Sequence, residues 1–492
     1  MRSYFIYFGL MALPILGGLV AFVLRSIRIR RALLPGVASA HLILTLLALH
    51  ARPAQILGGW IGLDDAGSLL LLVTSILFFA AAVYAQGYLR SESRTAHRDP
   101  EESFLFDNAP EAVFIGCLLL FLGTMTFVEI SRHLGMIWVA VESTTLVSAP
   151  LIYFHRHHRS LEAVWKYLMI CSVGIALALL GLFFLASAES SSSLLLDDVL
   201  RDAVRLPIPW LKTAFIFMLV GYGTKMGLAP MHTWLPDAHS EAPSLVSALL
   251  SGSLLNCAFL ALWRMTQVCI AAGMNDFVRD LLLALGFTSL GLAAVFIVRQ
   301  RDFKRLLAYS SIENMGIITI GVALGTAGYS GAFLHMLNHS LIKGSLFLVA
   351  GSILALHGTR ATDAVRGLSK RAPAAARLWL LGLLAIGGMP PFGAFISKFI
   401  IVRAALIQGH WVVASAFLGI VFIVFVGISG IALNMVLGTP SEPKSESQAA
   451  LSAAWIIPPT ILLALSLLLG LFIPRVIGNL IQGASGSGGF WP

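Results

Sequence analysis

The chain has 492 residues, 58% of them hydrophobic and only 12% charged, with a formal net charge of +9 and a mean hydropathy of +0.87. A water-soluble protein of this size needs far more charge on its surface, so the composition excludes a soluble enzyme or binding domain. The positive balance does not indicate nucleic acid either, because the basic residues cluster between long apolar blocks, where membrane loops lie.

In chain order, apolar blocks of about 20 residues, each able to cross the hydrocarbon layer as a helix, predict about 14 spans. They lie at 5–24, 32–50, 66–88, 111–130, 134–154, 162–187, 208–230, 243–263, 280–299, 305–325, 329–356, 377–402, 411–437 and 451–473. The runs are continuous rather than alternating, which argues for helices over barrel strands. The expected fold is an all-α integral membrane protein with short connections. The first block has no small-residue cleavage site before "RSIRIRR" and reads as a retained span. With the N-terminus outside, the inner loops hold "RSIRIRR", "RSESRTAHR", "HRHHR", "RQRDFKR", "RATDAVRGLSKRAPAAAR" and Lys444. They carry nearly twice the basic residues of the opposite side, which places both termini outside. Cys117, Cys171, Cys257 and Cys269 stand apart with no CxxC pair, against an iron–sulfur cluster, zinc or a disulfide framework. No phosphate-binding glycine loop is visible, so neither a cofactor nor a metal is expected in this chain.

Four lysines fall inside spans: Lys166, Lys225, Lys343 and Lys398. An ionisable group at mid-bilayer costs roughly 3 kcal/mol even on the lowest scale, and by default it marks an ion path. Lys166 lies four residues into its span, where snorkelling to the headgroups explains it equally well. Lys225 and Lys398 lie deeper. Glu142, in "IWVAVESTTLVS", is mid-span, and a nearby lysine would let it ionise. Glu313, in "AYSSIENMG", is a second buried carboxylate, either a structural hydrogen-bonding group or a proton carrier. "HMLNHSLIKGS" stacks His335, His339 and Lys343 on one helix face. Such a ladder offers groups that titrate near neutral pH, whereas a metal site there would lack a carboxylate.

Two spans carry proline interruptions beside their lysines: "GTKMGLAPMHTWLP" with Lys225 and Pro230, and "AIGGMPPFGAFISKF" with Pro390, Pro391 and Lys398. Broken helices in corresponding positions of two halves point to a transporter's ion site. Five spans separate span 7 from span 12, so a repeat of spans 4–8 by 9–13 would be inverted. The expected organisation is 1–110 (spans 1–3), 111–263 (first repeat), 280–437 (second, inverted repeat) and 451–492 (span 14 and tail). By that register Glu142 on span 5 matches Glu313 on span 10. "HRHHRS" (His155, His157, His158) reads as an interfacial basic turn. "PDAHSEAP" (Asp237, His239, Glu241) reads as a loop that closes span 7 and caps span 8.

Four of these segments also carry a resemblance. "GYGTKMGLAPMHTWLPDAHSEAPSLVSALLSG", "RDFKRLLAYSSIENMG", "HMLNHSLIKGSLFLVAGS" and "GGMPPFGAFISKF", in this order between about residues 110 and 435, resemble the Mrp-antiporter-like membrane subunits of the complex I superfamily. Within it they are most similar to membrane subunits of group 4 nickel–iron hydrogenases, such as the F subunit of hydrogenase 4, also related to formate hydrogenlyase. The resemblance implies fourteen helices with spans 7 and 12 broken and a prokaryotic plasma-membrane location. It assigns proton-pathway roles to Glu142, Lys225, His335, His339, Lys343 and Lys398, with Lys166 matching a lysine found early on span 6 of some members. One departure concerns span 8, where "SGSLLNCAFLAL" places Asn256 at the family's lysine position and Ser251 at its histidine position. Neither side chain takes a charge at neutral pH. Water bridges that gap, or the relay runs elsewhere through Glu313, or the subunit conducts poorly. The chain also ends soon after span 14, without the long lateral helix of the largest complex I antiporter-like subunit.

The expected function is that of a non-catalytic, ion-translocating subunit, carrying protons or sodium. Its expected partners are other membrane-arm subunits, the lipid bilayer and a soluble redox module, a nickel–iron hydrogenase or a dehydrogenase, with no nucleic acid. A quinone-reductase subunit, an Mrp-type antiporter and a non-conducting scaffold are the alternatives.

Overall fold

The computed structural model describes residues 2–92, 97–98, 105–188, 193–439 and 452–486; Lys444, Arg94 and the tail beyond 486 lie outside them. Among the described residues twelve helices are long and apolar enough to cross a membrane. They coincide with spans 1–6, 8–11, 13 and 14, from Ser3–Val23 to Ala453–Leu471. The protein is thus an all-α, multi-pass membrane protein.

Spans 7 and 12 are the two that do not form one continuous helix. Span 7 runs as Ile208–Met226, stops at Gly227 and resumes as Trp234–Glu241. Gly227 has φ 80° and terminates the helix in the left-handed region, where a side chain is disfavoured. Span 12 runs as Pro373–Gly387, stops at Gly388 (φ 91°) and resumes as Gly393–Ile407. The two breaks contain cis bonds at Ala229–Pro230 and Pro390–Pro391. Freed backbone groups at membrane depth need internal partners, and these are present. The Trp234 indole donates to the Thr224 carbonyl (2.9 Å), and the Ala229 N–H donates to Ser289 Oγ (2.9 Å).

"PDAHSEAP" is not the predicted loop. Residues 234–241 form the second arm of span 7, and span 8 starts after Pro243. Asp237 and Ser240 do not cap span 8. Asp237 pairs with Lys166 and Arg305, and Ser240 donates to Asp302. A helix suits this segment because Asp237, Ser240 and Glu241 lie on adjacent turns where cations of spans 6 and 10 and Arg360 meet them. Near "HRHHRS" a small three-stranded patch joins 97–98, Leu105–Asn108 and His155–Arg156, and span 6 begins earlier than predicted, at His158.

Spans 8 and 10 are buried along their whole apolar stretch, whereas spans 1, 2, 6, 9, 13 and 14 bury less than half of theirs. Outer faces carry exposed Val173, Phe183, Phe422 and Val426, as lipid-facing helices do. After span 14 an amphipathic helix, Arg475–Ser485, folds back against spans 3 and 11. The centre of the bundle is therefore built from spans 8, 10 and 11, with the arms of the broken helices beside it.

Candidate intramembrane ion pathway

Lys225 occupies the last turn of the first arm of span 7 and is fully buried. Its ammonium donates to Thr145 Oγ1 (2.8 Å) and to the Tyr167 hydroxyl (2.7 Å), and it lies 4.6 Å from the Tyr167 ring centre. Thr145 donates in turn to Glu142 Oε2 (3.2 Å), and Ser172 donates to the other carboxylate oxygen (3.1 Å). Glu142 and Lys225 therefore do not touch. A threonine hydroxyl stands between them, accepting from the cation and donating to the anion. That hydroxyl is the hydrogen-bonding partner the two groups share.

The second half is arranged differently. Lys398 lies in the second arm of span 12, where its ammonium meets Glu313 Oε1 at 3.7 Å. It also donates to the carbonyls of Ile386 (3.0 Å) and Gly387 (3.2 Å), the free end of the first arm. Gly388 permits this, since a Cβ there would sit 2.9 Å from the Lys398 side chain. Measured from the break, Lys225 precedes Pro230 by five residues and Lys398 follows Pro391 by seven. The ammonium of Lys398 nevertheless reaches Ile386, which precedes Pro391 by the same five. The two lysines approach equivalent points of their breaks from opposite sides.

His335 links to this pair. One ring nitrogen meets Ser397 Oγ (2.8 Å) and the other donates to Asn314 Oδ1 (2.9 Å). The Asn314 amide also faces Glu313 Oε2 at 3.5 Å. Lys343, one helical stripe along, donates to Ser310 Oγ and the Leu307 carbonyl. His339 lies against the Ser251 backbone, with neither ring nitrogen in hydrogen-bonding geometry to any of the described residues. His335, His339, Lys343, Glu313 and Lys398 are thus gathered in one buried region between spans 10, 11 and 12.

Span 8 lies between the two groups and holds the neutral stretch. Its residues Leu250–Leu254 form a π-helical turn, a feature frequent at functional sites. Asn256 donates to the Gly252 carbonyl (2.7 Å) and Ser340 Oγ (2.7 Å), leaving its own carbonyl oxygen without a partner among the described residues. Ser251 meets Ser311 at 2.8 Å. Hydroxyls and one amide, all buried, line span 8 where it packs between the first arm of span 7 and span 11.

Lys166 is apart from this axis. Its side chain is 44% exposed and pairs with Glu162 (2.6 Å) and Asp237 (2.9 Å) at the end of the bundle. At the same end a cavity of about 280 Å³ is lined by His157, Ser240, Glu241, Lys304 and Arg360, among others. Arg360 meets Glu241 at 2.8 Å, and the buried Lys304 donates to the carbonyls of Ser240 and Ala242. His239 follows inward, fully buried and stacked on Phe347 at 4.9 Å. Among the described residues neither of its ring nitrogens has a hydrogen-bond partner, and it lies within electrostatic range of Lys343 and His339.

The opposite end is sealed by ions. Arg264, 0% exposed, forks onto Asp64, and Arg132 joins Asp64 (3.4 Å) to Asp197. Burial alone would raise the Asp64 carboxyl, but Arg264, with help from the Gly67 N–H and Arg132, holds it at about 2.

The sequence reading took His239 only as part of a loop, and it overlooked Thr145, Tyr167 and two further buried groups, His41 and Glu129. The last two had a visible signal, an ionisable residue inside a predicted span.

The family described as NADH:quinone oxidoreductase/Mrp antiporter, transmembrane, matches residues 131–426. A hydrogenase-4 component F homolog of Methylacidiphilum infernorum is 34% identical over 399 residues, covering 79% of this chain and 81% of the relative. NADH-quinone oxidoreductase subunit N of Desulforudis audaxviator is 30% identical over 430 residues, covering 85% and 82%. A chain of the Mrp complex from Dietzia sp. DQ12-45-1b superposes with a TM-score of 0.85 at 20% identity, over 99% of this chain and 96% of the other, a likeness of fold.

Proposed function

Because the chain belongs to the NADH:quinone oxidoreductase/Mrp antiporter transmembrane family, we propose that it works as a proton-translocating membrane-arm subunit of a complex-I-like assembly. One observation carries the reading: two buried groups of ionisable side chains, Glu142 with Lys225 and Lys343 with the Glu313–Lys398 pair, lie on either side of span 8, whose buried hydroxyls and amide occupy the interval. Unpaired charge in such a place is costly, and its natural use is ion movement.

In this reading a perturbation at Glu142 alters the donor strength of Thr145 and with it the proton affinity of Lys225. The proton passes along Asn256, Ser340 and the ladder of His339, Lys343 and His335 to Lys398, whose counter-ion is Glu313. The cavity beside Glu241 and Lys304 serves as the entrance and His239 as the step inward. Spans 7 and 12 cross as interrupted helices, which brings the count to fourteen, and spans 4–8 and 9–13 form two inverted repeats, 111–263 and 280–437. The basic loop end faces the cytoplasm of a prokaryotic cell, with both termini outside. The likeness to a hydrogenase-4 component F homolog favours a soluble nickel–iron hydrogenase module as the redox partner. Lys166 is an anchor for the second arm of span 7.

The test is purification of the chain with its native partners from solubilised membranes. Co-purification of a nickel–iron subunit, and proton pumping by inside-out vesicles on adding its redox substrate, is the expected result. Quinone-reducing partners without hydrogenase activity would assign the chain to an NADH:quinone assembly instead, and isolation without any redox partner would contradict the proposal.

A further inference from the structure

Outside this axis the N-terminal spans hold a second group of buried polar side chains. Glu129 sits in the last turn of span 4 and is fully buried. Thr74 of span 3 donates to its Oε1 at 2.5 Å, while Oε2 has no hydrogen-bond partner among the described residues. One turn back on the same face, Thr126 meets Nε2 of the fully buried His41 (3.0 Å), and Ser75, next to Thr74, meets its Nδ1 (3.1 Å). Thr45 completes the group at 2.8 Å from Ser75.

The hydroxyls determine what this group can hold. The Thr126 hydroxyl lies within reach of the Leu122 carbonyl (2.9 Å) and of Nε2 of His41 (3.0 Å), so Nε2 accepts or donates according to how that hydroxyl turns. Ser75 lies equally within reach of the Leu71 carbonyl (2.7 Å) and of Nδ1. With either hydroxyl turned to the ring the imidazole is neutral; with both turned to their carbonyls, both ring nitrogens can donate and the ring can be cationic. Hydroxyl rotations thus accommodate either state without moving a heavy atom. A lone buried charge here would be expensive. Both side chains are least costly when neutral, Glu129 holding its proton beside the open Oε2 and the His41 ring able to gain a second one when its hydroxyl partners turn away.

Its position gives the site a use. Span 8 packs against spans 3 and 4 on one side and against the first arm of span 7, which carries Lys225, on another. In the other direction, a Cβ on Gly67 would stand 2.4 Å from the Glu129 carbonyl oxygen, and the Gly67 N–H donates to Asp64 (2.8 Å). Glu129 therefore lies directly beneath the Asp64–Arg132–Arg264 cluster. The titratable groups around it are His41 from span 2, Cys257 from span 8 and, beyond it, Lys225; span 3 presents hydroxyls.

We propose that Glu129 and His41 form a second proton-holding site, which connects the Lys225 end of the axis to the Asp64 end of the bundle. It gives the first half a proton route of its own. The step is a transfer of one proton to and from Glu129 Oε2, with no redox change. This inference rests on the proton-translocation reading above.

The test uses the intact complex in inside-out membrane vesicles, with Glu129→Gln, His41→Gln and Lys225→Gln compared in pumping per turnover. Infrared difference spectra of the same complex during turnover report the protonated carboxyl. Both Glu129→Gln and His41→Gln are expected to lower pumping several-fold, and Glu129→Gln to remove one carboxyl band that changes in the native complex. Native pumping and an unchanged spectrum in Glu129→Gln, with pumping lost in Lys225→Gln, would overturn this inference alone. Native pumping in Lys225→Gln would overturn the translocation reading and this inference with it. Should Glu129→Gln fail to assemble, His41→Gln and the native carboxyl band decide: native pumping in that variant, or no band that changes, overturns the inference.

Discussion

The ammonium of Lys398 donates to the carbonyl of Ile386 across the break of span 12, at 3.0 Å. Ile386 holds the place, relative to its break, that Lys225 holds in span 7. The cation is thus delivered to an equivalent point from the opposite arm. There the helix C-terminus itself, with its unpaired carbonyls, favours positive charge.

The second lysine has its counter-ion within the same chain, so Glu313→Gln isolates its contribution. The variant keeps the shape and removes the charge 3.7 Å from Lys398. Proton pumping should fall by about tenfold or more, since each pK unit of lost poise is about 1.4 kcal/mol. Pumping by vesicles at native levels would make Glu313 a structural group.

Thr145 is the only contact between Glu142 and Lys225 that the described residues provide. Thr145→Val removes it at nearly constant volume, and a hydrogen bond to a charged group is worth about 1.5–3 kcal/mol. Pumping should drop by an order of magnitude or so, and Thr145→Ser should restore it. Equal rates in Val and Ser variants would show that the two ionisable groups communicate otherwise.

Asn256 is the neutral member of the axis. Asn256→Leu leaves Ser340 without its donor and gives water nothing to bind. Transfer between the halves should be blocked, with assembly preserved. Unchanged pumping would send the relay around span 8.

At the Asp64 end the expected effect is on stability. Asp64→Asn leaves the fully buried Arg264 without its counter-ion, a change that costs about 3–5 kcal/mol. The melting temperature of the purified complex should fall. The sign of the pH dependence follows from the low Asp64 value of about 2. The pair's contribution is complete above the unfolded value of about 4 and is lost as pH falls toward about 2. Thermal melts between neutral pH and pH 5 should show no loss from this pair, and the variant should lack the acid limb.

Much of this arrangement was legible in the sequence because hydrocarbon imposes strong rules. Apolar runs of fixed length gave the helices, and "GLAP" and "GGMPP" marked both breaks. Lys225, Lys343 and Lys398 stood out because charge is rare in such runs. What pairs with what was not legible, since it depends on how helices distant in sequence face each other. Thr145 looks like any span 5 threonine until Lys225 is seen to reach it. The π-helical turn at Leu250–Leu254 has no local sequence signature. Lys166 illustrates the converse: its span-end position already suggested an exposed cation, and its pairs with Glu162 and Asp237 lie at the periphery. Glu129 and His41 carried the same signal, an ionisable residue within an apolar run, but each stands alone there and its hydroxyl partners come from other spans.

The central claim is that Lys225 carries a translocated proton. It is tested most directly by proton pumping per redox turnover of the intact complex with Lys225→Gln, in vesicles whose assembly is verified. The account predicts that pumping is abolished while the complex still assembles. Pumping at the native ratio would contradict it.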